Sequence, residues 1–197
     1  MGQVTVDVGV SVDGFVAGPG QSRDVPLGRG AEDLQRWMFE TPDENADEIA
    51  AIVEGGAFIM GRNMFGPIRG EWDEPWEGWW GEEPPYHAPV FVLTHHERPP
   101  LEMAGARHST SSPRGSTPHS RERESAAGEA DVAVAGGAST INQFLAAGAV
   151  DVLRLHIAPI VLGAGERLFT DVGRLPLTPV SSRTASLVMH VTYRLDR

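Results

Sequence analysis

Val4, Val6, Val8 and Val10 place an apolar side chain at every second residue, the period of a β-strand with one buried face. Ser11-Val12-Asp13-Gly14 ends that run in a turn, and Phe15-Val16-Ala17-Gly18 resumes it. A Gly- and Pro-rich loop follows as far as Gly30. Leu34, Trp37 and Met38 then have helical spacing within residues 31–39. Thr41-Pro42-Asp43-Glu44 reads as an N-cap with proline and acids in the first turn of a second helix. Ile49, Ile52 and Val53 form its predicted core face, and Gly55-Gly56 stops it. Ala57-Phe58-Ile59-Met60, residues 89–94 and residues 131–135 are short continuous apolar runs, as expected of buried central strands. Residues 139–147 carry Ile141, Phe144 and Leu145 on one helical face. A long strand is predicted from Val152 past Pro159 to Val161, and a last one over residues 185–195. Strands alternate with helices through most of the chain and extended pairs close it. That order predicts an α/β domain with a mixed, mostly parallel sheet flanked by helices on both faces.

Composition narrows the chemistry. The 197 residues suit a single domain spanning 1–197. There is no cysteine, which excludes thiol nucleophiles, disulfides and zinc–thiolate sites. All 16 basic residues are arginine, which removes lysine Schiff bases and a Walker-type phosphate lysine. A net charge of -11 argues against a nucleic-acid partner. No apolar run has membrane-spanning length and no signal-like segment opens the chain, so a cytoplasmic location without membrane contact is the expectation. His95 and His96 are adjacent, so they point to opposite faces of a strand end; with no third ligand at useful spacing, no metal site is expected.

Two strand-to-helix junctions carry glycine: Met60-Gly61-Arg62, and Gly136-Gly137-Ala138-Ser139-Thr140. In a parallel sheet such junctions fall at the carboxyl edge, where ligands bind. A helix start there presents N–H groups suited to a phosphate. A lone Gly-Gly is equally well explained as a tight turn, and the pattern is not GxGxxG.

Taken in order, these segments resemble the dihydrofolate-reductase-like superfamily, and within it the reductase domain of riboflavin biosynthesis and its stand-alone bacterial relatives. The resemblance rests on residues 11–17, on Met60-Gly61-Arg62-Asn63-Met64-Phe65, on Val90-Phe91-Val92-Leu93-Thr94, on residues 136–140 and on residues 155–165. It implies hydride transfer from NADPH to a small pterin- or pyrimidine-like ring, the protein supplying binding and orientation. By that resemblance Arg62, Asn63 and Met64, after Gly61, border the pyrophosphate, and Gly136, Gly137, Ala138, Ser139 and Thr140 cradle it from the other side. Thr94 and His95 approach the 2′-phosphate, Val16 and Ala17 border the nicotinamide, and Leu162 and Gly163 complete the cofactor set. Asp33, followed by Trp37, matches the family's ring-holding acid and its neighbouring aromatic; a solvated helix-start acid explains Asp33 as well. Asp13 is read first as a turn residue and second as a proton-handling group. Relatives commonly pair, so a homodimer is expected. Trp72, Trp76, Trp79 and Trp80, in the Pro-rich stretch 66–89, are a substrate lid, a dimer surface or a packed loop.

Residues 106–125 depart from everything around them. They contain no Val, Leu, Ile, Met or aromatic, whereas the family places a strand and a helix there. A one-base shift of reading frame near Gly105, compensated near Ser125, converts serine codons beginning TC into apolar ones. Apolar residues then replace Ser109, Ser111 and Ser112 at strand-like spacing, and Ser116 and Ser120 as on one helix face. The two explanations are this compensated frameshift and a flexible insertion; as written, the segment is expected to be irregular and exposed. Two rivals to a reductase stay open: a nucleotide-binding protein that has lost catalysis, and an oligomeric binding module built on the tryptophan-rich loop.

Overall fold

A computed structural model of the chain describes residues 2–67, 70–72, 74–96, 98–103, 106–112 and 127–196, with the backbone alone for 106–112. The valine repeat forms β1 (Val4–Ser11), and β2 (Phe15–Ala17) resumes beyond a turn in which Gly14 takes φ 88°. The predicted first helix is a 3-10 turn, Glu32–Gln35, running into α1 (Arg36–Glu40). A second 3-10 turn, Asp43–Asn45, leads into α2 (Ala46–Val53). Thr41 does not cap this helix as expected. Its hydroxyl instead donates to the Trp37 carbonyl at 3.1 Å, closing α1. None of Ile49, Ile52 and Val53 is fully buried, because α2 covers the sheet only at its margin; Asn45 is the residue driven inside.

β3 (Ala57–Gly61) passes directly into a one-turn helix, α3 (Arg62–Phe65). β4 (Val90–Leu93), β5 (Leu101–Met103), β6 (Ala106–Ser112) and β7 (Val132–Gly136) follow, then α4 (Ala138–Ala146) and β8 (Val152–Ala158). β8 ends before Pro159, whose ring cannot donate to a ladder, so the expected continuation to Val161 is absent. The chain closes with β9 (Glu166–Arg167), β10 (Leu177–Thr184) and β11 (Met189–Leu195).

Nine strands form one sheet in the order β10-β11-β8-β1-β7-β3-β4-β6-β5, and β2 pairs with β9 separately. All contacts from β8 to β6 are parallel, and β10, β11 and β5 are antiparallel additions. Val6, Val8 and Val10 share one face with Ile59 and Val134, packed under Ile141, Phe144 and Leu145 of α4. The opposite face carries two smaller clusters. Phe58, Met60, Val90 and Val92 lie beneath Trp72 and Trp76, while Ala31, Leu34 and Ala158 sit under the turn before α1. Helices therefore flank both faces, as expected.

The segment from 106 departs from the expectation of irregular backbone: 106–112 is a strand, parallel to β4 and in register from Val90↔Ser109 to Leu93↔Ser112. The physical reason is the open edge of β4, whose N–H and C=O groups require a partner. The rest of that segment, 113–125, lies outside the described residues.

Candidate active site

Because β8, β1, β7, β3 and β4 run parallel, their carboxyl ends share one edge. Gly61 and the Gly136-Gly137 pair meet there. A Cβ on Gly61 would collide with the Thr140 hydroxyl oxygen and would stand 3.5 Å from both the Gly136 carbonyl oxygen and the Gly137 nitrogen. Gly136 has φ 133°, which excludes other residues, and a side chain on it would meet the Met64 sulfur. The Gly136-Gly137 peptide bond is cis. α4 starts with no side-chain cap, so the first-turn N–H groups at Ala138, Ser139 and Thr140 have no acceptor within the helix. A cleft of about 340 Å³ extends from Ala138 and Ser139 to Arg167, Thr170 and Asp171. Asn142 holds the far wall: its amide donates to the Arg167 carbonyl at 3.0 Å and its oxygen accepts from the Phe169 N–H at 2.8 Å.

At the end of β1, Asp13 ties loops together. Its carboxylate accepts from the Ser11 hydroxyl at 2.6 Å, the Leu162 N–H at 3.0 Å and the Gly163 N–H at 2.7 Å. The Ser11 hydroxyl first, then these two backbone donors, hold its pKa down to about 2. Such a group is a turn anchor and a poor proton source, and the N–H groups of Leu162 and Gly163 are committed to it. Val16 and Ala17 lie in β2, which Arg167 borders through β9; Arg167 also donates to the Asp13 carbonyl and stacks on Phe15.

Arg62 begins α3 with its guanidinium 3.4 Å from the centre of the Trp72 ring, a cation–π contact. Asn63 and Met64 are exposed beside it. Three indoles serve the backbone nearby: Trp76 donates to the Phe65 carbonyl, Trp79 to that of Met64 and Trp72 to that of His96, at 2.8, 2.9 and 2.8 Å. The first two satisfy carbonyls that a one-turn helix leaves open. Trp72, Trp76 and Trp79 are thus tied to the backbone around them, while Trp80 is 54% exposed. Thr94 is buried at the end of β4, accepting from the His96 N–H at 3.1 Å, while His95 is exposed.

The two residues nominated for the substrate stand apart from this edge. Asp33 is exposed and pairs with Arg36 at 3.6 Å, as a solvated helix-start acid does. Trp37 is only 1% exposed, wedged against the rings of His156 and His190 at 4.8 and 5.0 Å, so no ligand touches it in this state. Sequence reasoning missed the polar group around it: Asp7, His156, His190 and Asn45. Asp7 and His156 were legible as polar residues inside otherwise apolar strands, but one chain gives no pairing between strands so far apart.

Residues 3–191 match the family described as the RibD C-terminal domain. The chain belongs to that family. Among curated proteins it is 46% identical over 65 residues to the uncharacterized protein YyaP of Bacillus subtilis (strain 168), a stretch covering 32% of this chain and 35% of that one. Among solved structures it is similar to a protein assigned to riboflavin biosynthesis from Shewanella sp. PV-4, with TM-score 0.65, 22% identity and 99% of both chains covered. A pyrimidine reductase-like protein from Corynebacterium diphtheriae gives TM-score 0.59 and 14% identity, over 100% of this chain and 92% of that one. Dihydrofolate reductase from Enterococcus faecalis, solved with NADP(H), gives 0.53 and 14%, over 99% and 97%. At these identities the likeness establishes the fold, which is dihydrofolate-reductase-like.

Proposed function

We propose that this RibD C-terminal domain protein is an NADPH-dependent reductase acting on a small pyrimidine- or pterin-like ring. The observation that carries the reading is the meeting of Gly61 with Gly136-Gly137 beside the uncapped start of α4. Side-chain-free backbone and unused N–H groups converge there, which suits a pyrophosphate. Ala138, Ser139 and Thr140 hold that group from one side, and Arg62, Asn63 and Met64 flank it from the other. Thr94 and His95 extend the same edge toward the adenosine phosphate, and Val16 and Ala17 toward the nicotinamide. Leu162 and Gly163 act indirectly, by fixing the loop through Asp13. When bound, the reduced nicotinamide supplies the hydride. Asp13 stays ionised and Asp33 is paired at the surface, so the accompanying proton comes from water at the open edge.

The same two carboxylates give a nucleotide-binding protein without turnover its one supporting observation. Calorimetric titration with NADPH tests binding, and NADPH oxidation with dihydrofolate or 5-amino-6-(5-phosphoribosylamino)uracil tests turnover. Binding without oxidation of any ring substrate favours the second reading; absence of binding overturns both. We further propose a homodimer, supported by β10, an eight-residue edge strand with residues 179–184 exposed. Among the described residues no helix is long and apolar enough to cross a membrane. A cytoplasmic location, and small molecules rather than nucleic acid as ligands, complete the proposal.

A further inference from the structure

On the face of the sheet covered by α1, four polar side chains form a buried chain. Asp7 of β1, His156 of β8 and His190 of β11 lie on neighbouring strands, with Gly9 opposite His156 and His156 opposite His190. Asn45, from the turn before α2, closes it. The links are His156 Nδ1 to His190 Nδ1 at 2.7 Å, His190 Nε2 to Asn45 Oδ1 at 2.9 Å, and His156 Nε2 to Asp7 Oδ1 at 3.7 Å. Side-chain exposures at the last contact are 2% and 7%.

The donors can be counted. Asn45 Nδ2 donates to the Thr41 carbonyl at 2.7 Å and to that of Trp37 at 3.3 Å, and Arg183 donates to Oδ1 at 3.1 Å. Oδ1 is therefore an acceptor, and His190 Nε2 must carry a hydrogen. Were both rings neutral, His190 Nδ1 would be bare and His156 Nδ1 would supply the hydrogen between them. His156 Nε2 would then be bare as well. It would face Asp7 Oδ1, and both atoms are fully buried with no other hydrogen-bond partner. Asp7's second oxygen is already engaged by Arg154 at 2.7 Å. Two opposed lone pairs in a buried site are unfavourable, and one further proton removes the conflict.

We infer that His156 and His190 together carry three ring protons rather than two, the third lying on the His156–Asp7 contact, so that a buried imidazolium–carboxylate pair within the sheet orders the chain through which His190 and Asn45 hold the α1–α2 cap. The charge falls on His156 rather than His190. His156 Nε2 faces the Asp7 carboxylate, whereas His190 shares its Asn45 acceptor with the positive Arg183. The charged groups around the chain are Asp7 and Arg154 on the sheet, and Arg183, Glu48 and Glu44 beside Asn45 and His190. The Trp37 ring lies against the His156 ring, where a cation is favoured. His156 is thus a positioning residue for the cap bearing Asp33 and Trp37. Its bearing on a substrate rests on the reductase reading, while the proton count does not.

Protein labelled with 15N-histidine tests this by long-range 1H–15N correlation, with assignment from His156→Gln and His190→Gln. The expected spectrum has both nitrogens of His156 protonated and only Nε2 of His190. In Asp7→Asn the carboxamide can itself donate to Nε2, so His156 should lose its third proton and show a bare Nε2. A bare Nε2 on His156 in the unmodified protein, as a bridging water would produce, overturns the inference, and so does an Asp7→Asn spectrum identical to it. If that variant does not fold, the unmodified spectrum decides alone. Amide exchange in α1 and α2 should quicken by about tenfold in Asp7→Asn, with β1 and β7 unchanged; unaltered exchange refutes the docking role. Failure of NADPH to bind would leave the spectrum as expected and remove only the link to a substrate.

Discussion

Gly61→Ala is the sharpest probe of the junction between β3 and α4. Gly61 has φ -71° and ψ 156°, which any residue adopts, so alanine meets no dihedral penalty there. The cost is steric: the new methyl runs into the hydroxyl of Thr140, which is 5% exposed on a packed helix. Overpacking of this kind costs about 1–3 kcal/mol. Stiffening the unfolded chain by replacing glycine returns about 0.4–1 kcal/mol. A net loss of about 1–2 kcal/mol follows, or roughly 2–8 °C in melting temperature for a chain of this size. Urea unfolding followed by tryptophan emission measures it, with the m-value expected unchanged. Thr140→Ala removes the obstructing oxygen, so the methyl at position 61 should be nearly neutral in that background, a coupling of about 1 kcal/mol or more. Loss of the same size in both backgrounds would show that Gly61 is not held to glycine by its contact with Thr140.

Arg62→Ala is expected to weaken NADPH binding by about 1.5–3 kcal/mol, the worth of a charge-assisted contact, by calorimetry. Unchanged affinity would confine Arg62 to its stack on Trp72. Asp13, with its pKa lowered to about 2 from the ordinary 3.8, stabilises the fold above pH 3.8, and that contribution is lost as pH falls through about 2. Acid unfolding of Asp13→Asn should lack this component, and a carboxyl titration of Asp13 by NMR near 3.8 would contradict the assignment. Intact-mass measurement of protein expressed from the native gene should depart from the mass of the written sequence, in favour of the shifted frame over 106–125. A mass equal to the written sequence, with these residues found ordered and well packed, ends the frameshift explanation. Light scattering should return a dimer mass at micromolar concentration; a stable monomer refutes the pairing.

The parts of the fold that could be read in advance are those in which a repeating pattern meets a one-sided burial. Val4 to Val10 alternate because one face of β1 packs on α4. The runs at 57–60, 90–93 and 132–135 are apolar throughout because central strands are covered on both sides. The written residues of β6 carry no such pattern. Its residues, as written, are Ala, Arg, His, Ser and Thr, yet positions 109 and 111 stand in register with the buried Val90 and Val92. The resemblance calls for a strand there, and the shifted frame gives one at 109, 111 and 112; in the residues as written, only the need of β4 for a neighbour accounts for it. β10 was missed because a solvent-washed edge strand requires no apolar pattern. At the site, the glycine junctions were legible as backbone signals. The commitment of Asp13 to Leu162 and Gly163 was not, since it joins residues far apart in the chain. Trp37 was misplaced because an aromatic at helical spacing fits a ligand wall and a core equally well; its partners His156 and His190 come from strands near the other end.

The position of β1 also bears on how the chain is made. It precedes both of its partners in the chain and lies in the interior of the sheet, joined to β7 through Val4↔Val132 and to β8 through Thr5↔Val152. Neither partner exists until synthesis has passed Val132 and Val152. Throughout that interval a valine-rich strand with two open edges waits without its neighbours, the situation in which nascent chains associate wrongly. Closing the centre of the sheet also demands pairing between residues far apart in the chain, and non-local pairing of this kind slows folding. A yield limited by chaperone supply and by synthesis rate, rather than by the stability of the finished fold, is the expected behaviour of this topology.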